Sequence, residues 1–286
     1  MLSLIIIKVL VSVATVIALS LIAEHVSPRI AGLLSGYPLG TAIALFFIGY
    51  EISPEFAAEG AVYTLAGFAS TLILTTGYWL GSRQASTTEN IEPLSKTASI
   101  NPPIPSWLNI IKASLVGIGL FLLSGFTIQS IDLNLMTAAI LPALAILCCI
   151  WAYRHIPETQ VGKKVKMSFS VLIFRAIVAA TIVLMITGAA HIVPASMAGV
   201  LAAFPISMFP FLVLMHRTYG AGKAHTIIKH YPTGLGSLMV YATSIAWCYP
   251  TLGLLWGTLL SFVFATIYLM IAPPYVDRLR QRLLNF

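Results

Sequence analysis

The sequence predicts an all-α, polytopic membrane protein of about nine transmembrane helices, built from two inverted four-helix repeats plus one linking helix. Three observations carry that prediction. The first is composition: 16 Lys and Arg with 9 Asp and Glu make up only 9% of 286 residues, against roughly 25% charged residues in a soluble domain. With 58% hydrophobic residues and a mean hydropathy of +0.93, the chain has more apolar surface than one core can bury, and the surplus faces lipid. The second is the sorting of the few charges between alternate loops. The third is a similarity of the chain to itself at a shift of 167 residues.

A spanning helix needs about 20 mostly apolar residues. Nine such runs lie near 2–23, 29–49, 56–81, 108–127, 134–153, 169–190, 194–215, 224–248 and 251–272, which leaves little chain for a soluble domain. The first run lacks the basic n-region and the A-x-A site of a signal peptide, so it is read as a retained span. The second holds Gly32, Gly36 and Gly40 at spacing four and is interrupted by Pro38. The third opens with Ser53-Pro54-Glu55, an N-cap, a first-turn proline and an acid that compensates the helix dipole. Glu51, Glu55 and Glu59 recur every four residues and are expected to stack on one face at its outer end, with Glu59 deeper and able to take a proton or a cation. Residues 82–107, rich in Ser, Thr, Asn and Pro, read as a polar linker and close the first repeat, 1–127, on the fourth span. Lys112, near a helix start, is expected to snorkel.

The fifth span and the basic loop after it form a connecting segment, 128–166. The second, inverted repeat takes 167–286. Its sixth span carries Arg175, and its seventh carries Gly199, Ala203 and Ser207 at spacing four, broken by Pro205. The eighth opens with Lys223, His225, Lys229 and His230, which read either as a membrane anchor or as a headgroup or anion site. Alternating nine spans puts Arg29, Arg83, Lys96, Arg154, Lys163, Lys164, Lys166, Arg217, Lys223, Arg278, Arg280 and Arg282 on one side, and Glu51, Glu55, Glu59 and Asp132 on the other. The positive-inside rule makes the first side cytoplasmic, so the N-terminus is outside and the C-terminus cytoplasmic.

At a shift of 167, Ala31-Gly32-Leu33-Leu34-Ser35-Gly36-Tyr37-Pro38-Leu39 lies over Ala198-Gly199-Val200-Leu201-Ala202-Ala203-Phe204-Pro205-Ile206. The same shift, without gaps, sets Lys8 over Arg175, Ser20 over Thr187 and Gly67 over Gly234, and Glu24 corresponds to His191. Five spans separate the copies, so the second enters the membrane from the opposite side. The stretch from Lys8 to Gly81, with Ala-Gly-Leu-Leu-x-Gly-x-Pro opening its second span, resembles the GlpM-like family of small bacterial inner-membrane proteins of about four spans. The second copy is similar, with Ala203 in place of the second glycine. The resemblance implies a helical inner-membrane fold, here in an internally duplicated form, more than an activity.

Duplication with inversion is common among secondary transporters, whose sites lie near the midplane between the repeats. The broken second and seventh helices therefore point to a substrate site, with Gly36, Tyr37, Pro38, Gly40, Phe204 and Pro205 as candidate residues and Glu59 beside them. The alternative for the small-residue stripes is close helix packing, and for the prolines a simple kink. Lys8 and Arg175 either snorkel to the headgroups or attract an anionic group from each side. The expected function is a transporter or lipid flippase for a small, anionic substrate. The alternative is a non-transporting membrane partner of an envelope-assembly complex. Membrane lipids and an unidentified small molecule are the expected partners, nucleic acid is not, and self-association or a membrane-protein partner stays open. Cys148, Cys149 and Cys248 have no ligand spacing, and the chain has no nucleophile elbow, P-loop or zinc motif, so no metal, cofactor or enzyme activity is expected.

Overall fold

The apolar runs fold as helices in the computed structural model, which describes residues 2–25, 37–89, 107–157 and 169–271. Gly32 and Gly36 lie outside the described residues, as do most of the polar linker, the lysine-rich loop, the C-terminal arginines and the side chains of Ser20 and Glu24. In chain order the helices are α1 (Leu2–His25), α2 (Leu39–Glu51), α3 (Pro54–Glu89), α4 (Trp107–Gln129), α5 (Leu135–Ala152), α6 (Phe169–Ala189), α7 (Ala195–Ala202), α8 (Met208–Tyr219) and α9 (Ala221–Ile271). Five of the described helical stretches are long and apolar enough to cross a membrane, those of α3, α4, α5, α6 and α9. The protein is all-helical among its described residues and has the apolar helices of a multi-pass membrane protein.

Helix α3 runs through the middle. Leu65, Phe68, Leu72, Leu74 and Tyr78 are fully covered, and so are Thr64, Ser70, Thr71 and Thr75. Hydroxyls buried on such a face are satisfied inside the protein, and these threonines do so on backbone carbonyls. By contrast α4 and α5 turn Leu115, Leu123, Phe126, Met136, Ile140 and Leu144 outward, the surface that lipid covers. Their inner faces carry small residues: a Cβ added to Gly117 would stand 2.9 Å from the Leu74 carbonyl oxygen, and one on Gly81 would stand 2.9 Å from Ala113 Cα. Backbones this close gain packing energy where lipid is as apolar as leucine.

Contacts give each helix a direction. Gly60, Gly67 and Tyr78, in order along α3, meet Gly199, Ala203 and His216, so α7 and α8 together run beside α3 in the same sense. Tyr63 reaches the Ile131 carbonyl and Thr76 reaches Tyr153, so α5 also parallels α3. Gly77 on Gly117 and Gly81 on Ala113, with Gly125 near Ser70, make α4 antiparallel to it. The first arm of α9 is antiparallel too, with His225 on Ser82.

Helix α9 is two helices folded into a hairpin. At Gly253 the backbone adopts φ 72° and ψ 178°, a conformation close to glycine-only. The arms 221–252 and 254–271 lie against each other, with Tyr249 Oη 2.9 Å from Thr258 Oγ1 and Ser237 donating to the Ala265 carbonyl. Gly253→Ala is expected to lower stability by about 1–3 kcal/mol, read from the unfolding midpoint in detergent. Gly188→Ala, where an added Cβ meets open space, is the control expected to change little.

One expectation is corrected here. Glu51 does not continue the acidic face of the third span: α2 ends at Glu51, and Ser53 caps α3, its Oγ accepting from the Phe56 N–H at 3.1 Å. Glu55 and Glu59 remain together on an exposed face of α3, while Glu51 belongs to a different helix and a different neighbourhood.

Candidate functional site

The seventh span is broken at its proline, as expected; in the second span a helix starts just after Pro38, and the residues before Tyr37 lie outside the described residues. On the second copy α7 stops at Ala202, residues 203–207 form a turn, and α8 starts at Met208. Pro205 has no N–H to donate, and the chain turns tightly around it, with the Ile206 N–H bonding the Phe204 carbonyl at 2.8 Å. In the first copy Tyr37 and Pro38 precede the first turn of α2. The start of α2 meets the turn at Pro205: a Cβ on Gly40 would stand 2.9 Å from Ile206 Cβ.

Two small cavities flank this crossing, each about 10 Å³, the space of a single water. One is bounded by Tyr37, Gly40, Thr41, Phe204, Pro205 and Ser207, the other by Ser12, Thr15, Gly40, Ile43, Val183 and Ser207. The lining is apolar with hydroxyls and no charge. Tyr37 Oη lies 3.0 Å from Thr266 Oγ1 and its ring stacks on Phe262. Phe204 sits edge-on between Phe121 and Phe209. Ser12 is buried, and its Oγ has no hydrogen-bond partner.

Threonines of α3 reach the carbonyls on either side of the end of α7. Thr64 Oγ1 donates to the Gly199 carbonyl at 2.8 Å and Thr71 Oγ1 to the Ala203 carbonyl at 2.7 Å. Gly60, Thr64, Gly67 and Thr71 form one face of α3, alternating close approach with a hydroxyl. The Gly199 and Ala203 stripe is thus a packing face, and it lies directly beside the break.

The candidate cations occupy different settings. Lys8 does not snorkel: its side chain is 7% exposed, and its Nζ stands 2.6 Å from Oε1 of Glu51. The same ammonium donates to Glu51 Oε2 at 2.8 Å and to Thr187 Oγ1 at 2.7 Å. His191, about half exposed, places Nε2 3.1 Å from the same Glu51 Oε2. Four side chains from α1, α2 and the end of α6 are thereby joined at one end of the bundle. Arg175 is buried on α6 with its guanidinium 4.9 Å from the centre of the Phe211 ring. Glu59 is exposed on α3, outside both groups.

The opposite end gathers basic residues. Arg217 lies over Trp107, Arg83 over Trp79 and Lys223 over Tyr219, and Lys229 donates to the Ile156 carbonyl at 2.8 Å. His225 Nε2 lies 2.7 Å from Ser82 Oγ, and His216 Nδ1 lies 2.9 Å from Tyr78 Oη. Lys112 is exposed on α4. Among the described residues no three His, Cys, Asp or Glu side chains converge to hold a metal.

Sequence reasoning missed Glu51, Thr187 and His191 as partners of Lys8, the Thr64 and Thr71 contacts, and the Tyr78–His216 pair. A usable signal existed for the first: Lys8 and Glu51 lie at comparable depth at the same ends of consecutive spans. Comparison with protein-family models, with curated proteins and with solved structures finds no match to this chain.

Proposed function

We propose that the chain is a nine-crossing carrier of the bacterial inner membrane, a fused pair of inverted four-helix units of the GlpM-like kind, moving a small polar solute or a lipid headgroup past the crossing of its two interrupted helices. The observation that carries this reading is the meeting of the broken α7–α8 segment with the start of α2 at Ile206 and Gly40, lined by hydroxyls and flanked by small cavities. Non-helical backbone at membrane depth is tolerated only where protein or a water-filled cavity satisfies it, and such breaks mark transport sites.

The helix starts support a repeat. Pro54 and Ala221, the first residues of α3 and α9, are 167 residues apart, and so are Pro38 and Pro205. The directions of α3, α4, α5, α7–α8 and the two arms of α9 fit alternating crossings when α7 and α8 count as one and the arms of α9 as two. The basic end, with Arg83, Arg154, Arg217 and Lys223, is then cytoplasmic and the end with Glu51, Glu55 and Asp132 outside.

A second reading, a non-transporting partner in an envelope assembly, draws on the tightness of the crossing, where each cavity has room for one water. Thr41→Cys and Ser207→Cys, in a chain whose three native cysteines are replaced by alanine, separate the two. Labelling of both positions by an impermeant maleimide from either side of oriented vesicles, in turn, is the result expected of a carrier. Protection from both sides under all conditions would favour the partner.

A further inference from the structure

We propose that Glu51 is the proton-binding site of the transport cycle, with Lys8 and a proton competing for its carboxylate and His191 carrying that proton to and from the outer water. This rests on the carrier reading. The geometry sets the competition. Lys8 Nζ reaches both Glu51 oxygens and the Thr187 hydroxyl, so one ion pair fastens α1, α2 and α6. Helix α2 joins that fastening to the crossing: Glu51 is its last residue, and Gly40, against Ile206, lies in its first turn. Eleven residues of helix make a rigid link of about 16 Å.

A protonated Glu51 is neutral and no longer attracts Lys8 as an ion. The fastening weakens, and the outer ends of α1 and α2 can part from α6. When they close again, the ammonium of Lys8 displaces the proton from the carboxylic acid, leaving carboxylate, and the proton passes to Nε2 of His191 and on to water. His191 suits this role because it touches Glu51 Oε2 at 3.1 Å while its side chain is 49% exposed, and an imidazole ring can both accept and donate a proton. Other titratable groups near Glu51 are placed differently. Tyr249 of α9 packs near Gly49, but its hydroxyl is engaged with Thr258, and Glu55 faces outward from the first turn of α3. Tyr50 is exposed. The carboxylate is not a demand of the repeat, since the position 167 residues on is Thr218. A purely structural pair would serve in either copy; a carboxylate in one copy alone takes up one proton at one face.

The test places a reporter cysteine at Ser12, which lies between Lys8 and the crossing and lines a cavity, in the chain whose native cysteines are replaced by alanine. Labelling by an impermeant maleimide from the Glu51 side is divided by that of Ile192→Cys, an 86% exposed control, which removes the pH dependence of the thiol. The expected ratio rises as outer pH falls, by up to about tenfold per pH unit for one proton linked to opening, and Glu51→Gln gives a high ratio at every pH. Infrared titration of the unmutated protein in bilayers is the second measurement, with a titrating carboxylic acid band that shifts in Glu51→Asp. A pH-independent ratio, or no such band, overturns the proposal while alternating labelling at Thr41→Cys and Ser207→Cys leaves the carrier reading standing. Loss of that alternation removes the carrier reading, and this proposal with it.

Discussion

Replacing Lys8 by methionine is expected to destabilise the protein by about 3–5 kcal/mol, the usual cost of removing one partner from a buried ion pair. Methionine fills much the same volume, so packing against Phe47, whose ring centre lies 5.8 Å from Nζ, survives and the loss isolates the charge. What remains is a carboxylate only 10% exposed, held by a histidine that is charged only when protonated. Thr187 also loses its donor. The companion variant, Lys8→Met with Glu51→Leu, decides the interpretation. Replacing both partners of a buried pair by apolar groups is often neutral or stabilising, so the double variant should recover most of the unfolding midpoint in detergent. If it is as unstable as the single variant, the pair is not the source of the loss. If it folds but no longer responds to outer pH, stability and function separate at this site.

How much of this was legible in the sequence depends on the range of the interaction. The apolar helices and the break at Pro205 follow from local letters. An apolar run is a helix wherever lipid forbids unpaired backbone groups, and proline inside one removes a bond whatever surrounds it. Pro38 and Pro205 therefore announce themselves. The Lys8 pairing is of another kind, because its partners stand 43 and 179 residues away, and nothing in local spacing selects Glu51 over Glu55 or Glu59. The period of four even misleads: it links three glutamates across a helix boundary that Ser53 and Pro54 mark. Glu59 suffers from the same reasoning, since depth along a helix says nothing about which face is covered. Thr64 and Thr71 were invisible for a different reason. A threonine in an apolar run reads as filler until the carbonyl it meets, on a broken helix more than 130 residues away, is known.

Gly199→Val is expected to be the most damaging single change at the crossing, with loss of folded protein rather than a shifted midpoint. A Cβ at Gly199 would overlap the Gly60 carbonyl oxygen and stand 2.9 Å from Gly60 Cα. Both are backbone atoms, so no rotamer change relieves the clash; α7 and α3 would have to move apart. Ordinary overpacking costs about 1–3 kcal/mol where side chains can shift, and here the separation also breaks the hydrogen bonds that Thr64 and Thr71 make to Gly199 and Ala203. The Gly199 carbonyl keeps the Ala203 N–H, but the Ala203 carbonyl loses its donor in an apolar interior, and an unmet hydrogen bond there costs about 1–3 kcal/mol more. Size-exclusion chromatography after extraction checks the prediction, with Gly119→Val, where an added Cβ meets nothing within 4 Å, expected to elute as the unmutated protein does. A monodisperse Gly199→Val with an unchanged midpoint would mean that the two backbones do not approach as described. On the proposed carrier reading, the close approach leaves the interrupted helix braced along α3 on one side, so that movement at the crossing would fall to α2 and to the Lys8–Glu51 pair at its end.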